Sequence, residues 1–227
     1  MESDQELKLV GFWPSPFVIR VKWALELKGL NYTYIEDDIF NKSPLLLQLN
    51  PVQQRVPVLV HLNKPIPESP IILQYIHDTW TDHNHTLLPS DPHLKAHARF
   101  WATVGDHKLL EYAWMAMICS KGEEKEGYVQ SAIEVLGLIQ EELKNDFFGG
   151  ESIGYLDLVL GWISYWLPVW EEVGSMKILD EAQFPVIYLW AKRFMDHPKI
   201  EAHLPPRDQM LVYFEKRRIQ LKLAWNK

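Results

Sequence analysis

Ser15 stands between Pro14 and Pro16 in the stretch GFWPSPFVIRVKWALELKGL, where an apolar run gives way to a helix-like pattern. A serine before a proline is first of all a helix cap: its hydroxyl accepts a backbone N–H, and proline at the first helical position loses no bond. The same place suits a second use, because a hydroxyl beside a positive helix end stabilises an anion such as a thiolate. Ser15 alone leaves both readings open. Val56-Pro57 opens a strand-like run, where proline fits at a sheet edge or through a cis bond. Glu68-Ser69-Pro70 repeats the hydroxyl-then-proline helix start with a carboxylate before it. Lys42 in FNKSP and Arg55 in QQRVP add cations in the loops between these elements. Each cation taken singly reads as a solvated surface charge; together they are placed to line one cleft.

The elements that must position these residues follow from periodicity. Leu7 to Phe12 reads as a strand, Pro16 to Lys28 as a helix with Val18, Val21 and Leu25 on one face, and Asn31 to Glu36 as a second strand. Val56 to His61 and Pro65 to Ile66 read as two further strands around an Asn63-Lys64 turn, followed by a helix from Pro70. That order, βαβ then ββα, needs a parallel crossover first and an antiparallel hairpin second. Thr81 to Pro92 is rich in turn formers and reads as a linker. Beyond it the pattern is helical throughout: Leu94 to Cys119, then a charged, glycine-bounded break at Lys121 to Gly127, then Tyr128 to Asp146 with Val129, Ile133, Leu136, Ile139 and Leu143 as a stripe. After the FFGG turn come an apolar helix, Tyr155 to Trp170, and a helix from Phe184 to Asp196. The expected fold class is α/β plus all-α, with residues 1–80 as a small α/β domain, 81–92 as linker and 93–227 as an all-helical domain.

Composition narrows the function classes. The 227 residues, 47% hydrophobic and 23% charged, suffice for a substantial core in one large domain or two small ones. A net charge of −7 argues against binding nucleic acid, which needs concentrated Lys and Arg. Tyr155 to Trp170 is apolar nearly all round, yet it holds Asp157 and Pro168 and falls short of the roughly 20 residues of a membrane span, so no membrane partner is expected. The single cysteine, Cys119, cannot form an internal disulfide, and MESDQELK lacks the apolar core of a signal peptide; both readings point to the cytosol.

The chain resembles the plant tau-class glutathione transferases along essentially its whole length. The resemblance lies in GFWPSPFVIRVKWALELKGL, NKSPLLLQLNP, RVPVLVHLNKPIPES, the LLPSDP linker with ARFWA after it, and FFGGESIGYLDLVLG. It implies a thioredoxin-like N-terminal domain, an all-helical C-terminal domain, a homodimer, and glutathione as co-substrate with no metal or other cofactor. It also implies that Ser15 donates a hydrogen bond to the glutathione sulfur and that Lys42, Arg55, Val56, Glu68 and Ser69 hold the tripeptide. Glu68 would take the γ-glutamyl ammonium, Ser69 its carboxylate, the Val56 backbone the cysteinyl part, and Lys42 with Arg55 the glycine carboxylate. Relatives that exchange disulfides resemble Cys-Pro-Phe at this seam. Ser15-Pro16-Phe17 cannot form the mixed disulfide, which leaves conjugation to small hydrophobic electrophiles and peroxide reduction. A carrier of hydrophobic ligands on the same fold is the alternative.

The second substrate is expected where the two domains face each other, against Phe12, Phe17, His107, Trp114, Trp166 and Tyr213, because apolar electrophiles need aromatic walls. Core packing explains each of these aromatics equally well, and the Trp162, Trp166, Trp170 stripe reads as core. His83 with His85, and His93 with His97, have metal-compatible spacings without a third ligand. Glu36-Asp37-Asp38 reads as a solvated turn. Gln53 and Gln54 stand where the family commonly has a His or a basic residue, which lowers positive charge near the glycine carboxylate. Pro70 removes one donor from its helix end, and Gly154 replaces a capping hydroxyl three residues before Asp157 at a cost of only a few tenths of a kcal/mol.

Overall fold

The computed structural model describes residues 7–81, 85–119 and 122–225; His83 and the N-terminal stretch weighed above lie wholly or partly outside them. The chain forms two compact units, Met1–Leu88 and Pro89–Lys227.

The first unit runs β1 (Leu7–Gly11), α1 (Pro16–Leu27), β2 (Thr33–Glu36), α2 (Pro44–Leu49), β3 (Val58–His61), β4 (Lys64–Pro67) and α3 (Ser69–Thr79). The four strands form one sheet in the order β2-β1-β3-β4. β1 pairs parallel with β2, while β3 pairs antiparallel with both β1 and β4. This is the thioredoxin-like arrangement. Pro65 and Pro67 belong to β4, the edge strand, where their missing N–H groups face the open side and no ladder bond is lost. The hairpin turns on Leu62 and Asn63, both at positive φ (51° and 61°), as a two-residue type I′ loop requires, and so lies one residue earlier than its composition indicates. Val10, Val58 and Val60 pack with Leu46 of α2 on one face of the sheet. Leu9 and Leu59, fully buried, alternate to the other face, where α1 packs against α3. α2 itself is unanticipated: Ser43 caps it, its side chain accepting from Leu46 N–H, and Pro44 occupies its first turn.

The second unit is helical: α4 (Pro92–Val104), α5 (Glu111–Ile118), α6 (Glu123–Glu142), α7 (Tyr155–Leu160), α8 (Trp162–Gly174), α9 (Pro185–Met195), α10 (Pro198–Glu201) and α11 (Arg207–Trp225). A π-helical stretch, Gly105–Leu110, joins α4 to α5 without a break. Three expectations need correction. The charged KGEEKEG segment is largely helix, because Glu123, Glu124 and Glu126 sit in the first turn of α6, where the helix dipole favours carboxylates. The apolar run from Tyr155 divides at Gly161 into α7 and α8. The last helix expected, Phe184 to Asp196, is followed by α10 and α11, and Arg218 of α11 donates to Met117 carbonyl at 2.7 Å, closing the end of α5. Among the described residues no helix is long and apolar enough to cross a membrane.

Asp157 fastens this unit. Its fully buried carboxylate accepts at 2.8 Å from each of four donors: Phe148 N–H and the Trp190 indole on Oδ1, Gly149 N–H and Gly154 N–H on Oδ2. Burial pushes its pKa up to about 6, against the pull of the four donors. One residue therefore ties the FFGG turn, the start of α7 and α9 together, and at position 154 the half of the capping box that Asp157 supplies, its bond from Gly154 N–H, is kept. Asp157→Asn should destabilise the fold by roughly 2 to 5 kcal/mol in denaturant unfolding. Whichever way the amide turns, its NH2 group faces two buried donors and leaves them unpaired. Wild-type stability in this variant would contradict the fastening role.

Candidate functional site

Ser15 occupies the N-cap of α1 in extended conformation (φ −80°, ψ 121°), with Pro16 in the first turn. Its Oγ accepts from Val18 N–H at 3.3 Å, and its own N–H closes a turn on Phe12 carbonyl at 3.0 Å. Accepting one N–H uses a lone pair and leaves the hydroxyl proton to be donated elsewhere. Capping and anion stabilisation are therefore compatible. No acidic residue stands in the first turn of α1 to oppose an anion there.

Strand register brings the other residues to the same edge of the sheet. Gly11 at the end of β1 is level with Glu36 at the end of β2, Val10 with Val58 at the start of β3, and Val58 with Pro67 at the end of β4. The segments holding Ser15, Lys42, Arg55-Val56 and Glu68-Ser69 all leave that edge. Neighbouring strands lie about 4.8 Å apart, so from β1 across β3 to β4 the edge spans roughly 10 Å. An extended tripeptide has about the same length. The Val56-Pro57 peptide is cis. Arg55 is exposed in a loop organised by buried Asn50, whose Nδ2 donates to Arg55 carbonyl at 3.0 Å and whose Oδ1 accepts from Gln53 N–H at 3.1 Å. Gln54, at φ 52°, turns this loop back. Glu68, exposed and at φ 71°, precedes the buried Ser69, which begins α3.

Of Glu36-Asp37-Asp38, Glu36 and Asp38 are exposed as in a solvated turn, but Asp37 is buried and all three carboxylates are bonded. Asp37 is 3% exposed, accepts from Ser43 N–H at 3.3 Å and from Ser43 Oγ, and donates its own N–H to Gly11 carbonyl at 2.7 Å. Glu36 accepts from Trp13 N–H at 3.0 Å and from Tyr34 Oη at 2.5 Å. Asp38 accepts from Phe40 N–H at 2.9 Å, and the Phe40 ring meets the edge of Phe12 at 6.3 Å. Acidity alone gives no sign of these bonds, since their partners come from β1 and the turn after it, from β2 and from the loop beyond β2.

Residues 5–78 match the family described as "Glutathione S-transferase, N-terminal domain". A probable glutathione S-transferase of Glycine max is 40% identical over 95% of both chains, and glutathione transferase GST 23 of Zea mays is 41% identical over 98% of this chain and all of that one. The chain belongs to the glutathione S-transferases. Its fold superimposes on a tau-class glutathione S-transferase from mango, Mangifera indica, with TM-score 0.86 and 38% identity over 92% of this chain and 96% of that one. The corresponding values for rice GST1 in complex with glutathione are 0.88 and 32% over 96% and 98%. It is a tau-class member.

In this transferase the expected aromatic residues fall into distinct settings. Phe17 lies under the Arg20 guanidinium, 4.9 Å from its ring centroid. Half-buried Trp114 meets Trp170 at 5.3 Å and Phe214 at 6.1 Å, and Tyr213 packs on Phe214 at 4.9 Å. Burial pushes the Tyr213 phenol pKa up. Phe214 and Trp170 thus join a cluster in which only Trp114 and Tyr213 were expected. His107 stands in the π-helical stretch, largely exposed, 3.7 Å from Glu111. Trp166 is 0% exposed and presents no accessible surface, in keeping with a core stripe rather than a wall. His97 lies 3.2 Å from Glu142 and accepts from the Trp101 indole at 3.2 Å. Cys119 follows α5, half-buried, and burial is the main cause of its raised thiol pKa, which disfavours a nucleophilic role.

Gly11 allows β1, α1 and Tyr34 to meet. A Cβ there would lie 2.6 Å from Val18 Cγ1 and 2.8 Å from Tyr34 Cε2. Gly11→Ala is expected to cost about 1 to 3 kcal/mol in chemical unfolding, as overpacking does. An unaltered midpoint would show that the seam is not tightly packed.

Proposed function

We propose that this transferase binds glutathione along the sheet edge, activates its thiol at Ser15, and conjugates the thiolate to small hydrophobic electrophiles. The observation that carries the reading is the Ser15 hydroxyl at the N-terminus of α1, committed as acceptor to Val18 N–H and free by its chemistry to donate a proton. A thiol with pKa near 8.5 is only a few per cent ionised at neutral pH. Lowering that value by about two units requires about 2.7 kcal/mol of preferential anion stabilisation. A hydrogen bond to a charged acceptor contributes roughly 1.5 to 3 kcal/mol and a helix end about 0.3 to 1 kcal/mol more, a combined range that brackets the requirement.

In the proposed complex the Val56 backbone pairs with the cysteinyl residue, Ser69 and the start of α3 take the γ-glutamyl carboxylate, and Glu68 takes the ammonium. Lys42 and Arg55 hold the glycine carboxylate. The thiolate attacks the electrophilic carbon, the S–C bond forms, and the leaving group departs with its electron pair. Attack on a peroxide oxygen instead gives hydroperoxide reduction, completed by a second glutathione. Phe12 and Phe17 flank Ser15 in the first unit. Trp114, Tyr213 and His107 of the helical unit are offered as contacts for the electrophile. Residues 1–80 serve as the glutathione-binding domain, 81–92 as the linker and 93–227 as the electrophile-binding domain. A cytosolic homodimer is the form in which we expect the enzyme to act.

Ser15→Ala should lower kcat/KM toward a chlorodinitrobenzene-type substrate at least about tenfold. Loss of the cap should cost only about 1 kcal/mol of stability. A glutathione-dependent thiolate absorbance titration on both proteins separates binding from activation. Full activity in the alanine variant removes Ser15 from its role, and ligand binding with negligible turnover in the wild type would mark a carrier instead.

A further inference from the structure

We infer that the acidic triplet at the exit of β2 positions the glutathione site, Glu36 by holding the Ser15 turn and Asp37 by holding the Lys42 loop. The inference rests on the roles proposed above for Ser15 and Lys42. From Trp13 to Pro16 the chain alternates with proline, so only Trp13 and Ser15 carry amide N–H groups in this turn. The Ser15 amide closes the turn on Phe12 carbonyl, and the Trp13 amide reaches Glu36 Oε1 at 3.0 Å. The second carboxylate oxygen is held by Tyr34 Oη at 2.5 Å, and Lys22 Nζ stands 3.5 Å from the centroid of the Tyr34 ring. Glu36 is thus itself held in place, and it anchors the turn to β2 through the one amide that does not close the turn.

Asp37 does the corresponding work for the other loop. Its backbone is bonded to Gly11 carbonyl at 2.7 Å, and its buried carboxylate takes both the N–H and the Oγ of Ser43. Ser43 directly follows Lys42 and caps α2, accepting from Leu46 N–H at 3.1 Å. Two adjacent residues therefore fix the groups proposed to meet the central sulfur and the glycine end of the ligand separately. Glu36 and Asp37 are positioning residues, acting through the Ser15 turn and the Lys42 loop.

The test compares Glu36→Ala, Glu36→Gln, Asp37→Ala, Ser43→Ala and Ser15→Ala in the full chain, reading the thiolate fraction of bound glutathione, kcat and the KM for glutathione. Glutamine keeps an oxygen for the Trp13 amide and an NH2 group for Tyr34 Oη. It removes the same charge as alanine, so the difference between the two variants isolates the hydrogen bonds. Glu36→Ala should lower the thiolate fraction at pH 7 and kcat about threefold or more, with the KM within about twofold, and Glu36→Gln should regain most of the loss. Asp37→Ala should raise the KM about fivefold while kcat stays within about twofold. Ser43→Ala, which leaves the Asp37 carboxylate in place, should raise the KM in the same direction even if Asp37→Ala fails to fold. Equal effects of alanine and glutamine at position 36 overturn the Glu36 role, and an unchanged KM in Ser43→Ala overturns the Asp37 role. A reduced thiolate fraction in Ser15→Ala beside a normal one in Glu36→Ala removes only the Glu36 fastening. A normal fraction in Ser15→Ala removes the assignment of Ser15 and the Glu36 role with it.

Discussion

A hydroxyl group has two lone pairs and one proton, and the start of α1 draws only on the lone pairs of Ser15. The site depends on that division. The Val18 N–H holds the oxygen at the helix end and polarises the O–H toward whatever lies beyond. The same bond that stabilises the helix thereby improves the donor. The sequence feature that looks like a cap and the one that looks like a catalytic donor are a single geometry, and the lack of carboxylates in the first turn keeps the helix end available to an anion.

In the proposed complex the rest of the sheet edge brings partners to that donor. The parallel β1-β2 pair places the exits of both strands side by side, and the antiparallel β3 and β4 return the chain to the same edge. Four loops consequently open where a ligand can run across the strand ends. None of these loops is left to its own stiffness. Asn50 braces the Arg55 loop, Asp37 braces the Lys42 loop, and Glu36 braces the Ser15 turn. Two of them end on carboxylates, and a hydrogen bond to a charged group contributes more than a neutral one. The long cationic side chains stay exposed and contribute charge, while the buried Asn50 and Asp37 and the exposed but doubly bonded Glu36 contribute position.

Sequence reading recovers this plan unevenly, for physical reasons. A hydroxyl or carboxylate followed by proline marks a helix start at Ser15-Pro16, Ser43-Pro44 and Asp91-Pro92, each observed as an N-cap with proline in the first turn. That signature was sufficient to find α2. Its six residues are too few to show a helical period, however, and Pro44 reads as loop when periodicity alone decides. α11 is missed because Val212, Ile219 and Leu223 remain exposed along it and leave no clean apolar stripe. The acid triplet misleads more deeply. Three adjacent carboxylates signal solvent unless their partners are known, and the Trp13 amide lies 23 residues away from Glu36. Pairing of that kind is set by strand register, which local composition does not encode.

The two prolines around Ser15 explain why such remote bracing is needed. Pro14 biases Trp13 toward extended backbone, and Pro16 presets the first helical turn. Together they narrow the conformations of the turn, yet they also remove two of its four amide donors. A turn stiffened in this way moves as a body, so its direction is set by the bonds that tie it to its surroundings. The Trp13 amide to Glu36 supplies one such tie. Gly11 permits it, since any Cβ there would drive away Tyr34, the residue that holds Glu36. Gly11, Trp13, Ser15, Tyr34 and Glu36 therefore act as one physical unit. The placement of the Ser15 hydroxyl follows from all five, although Ser15 is the one that meets the sulfur in the proposed complex.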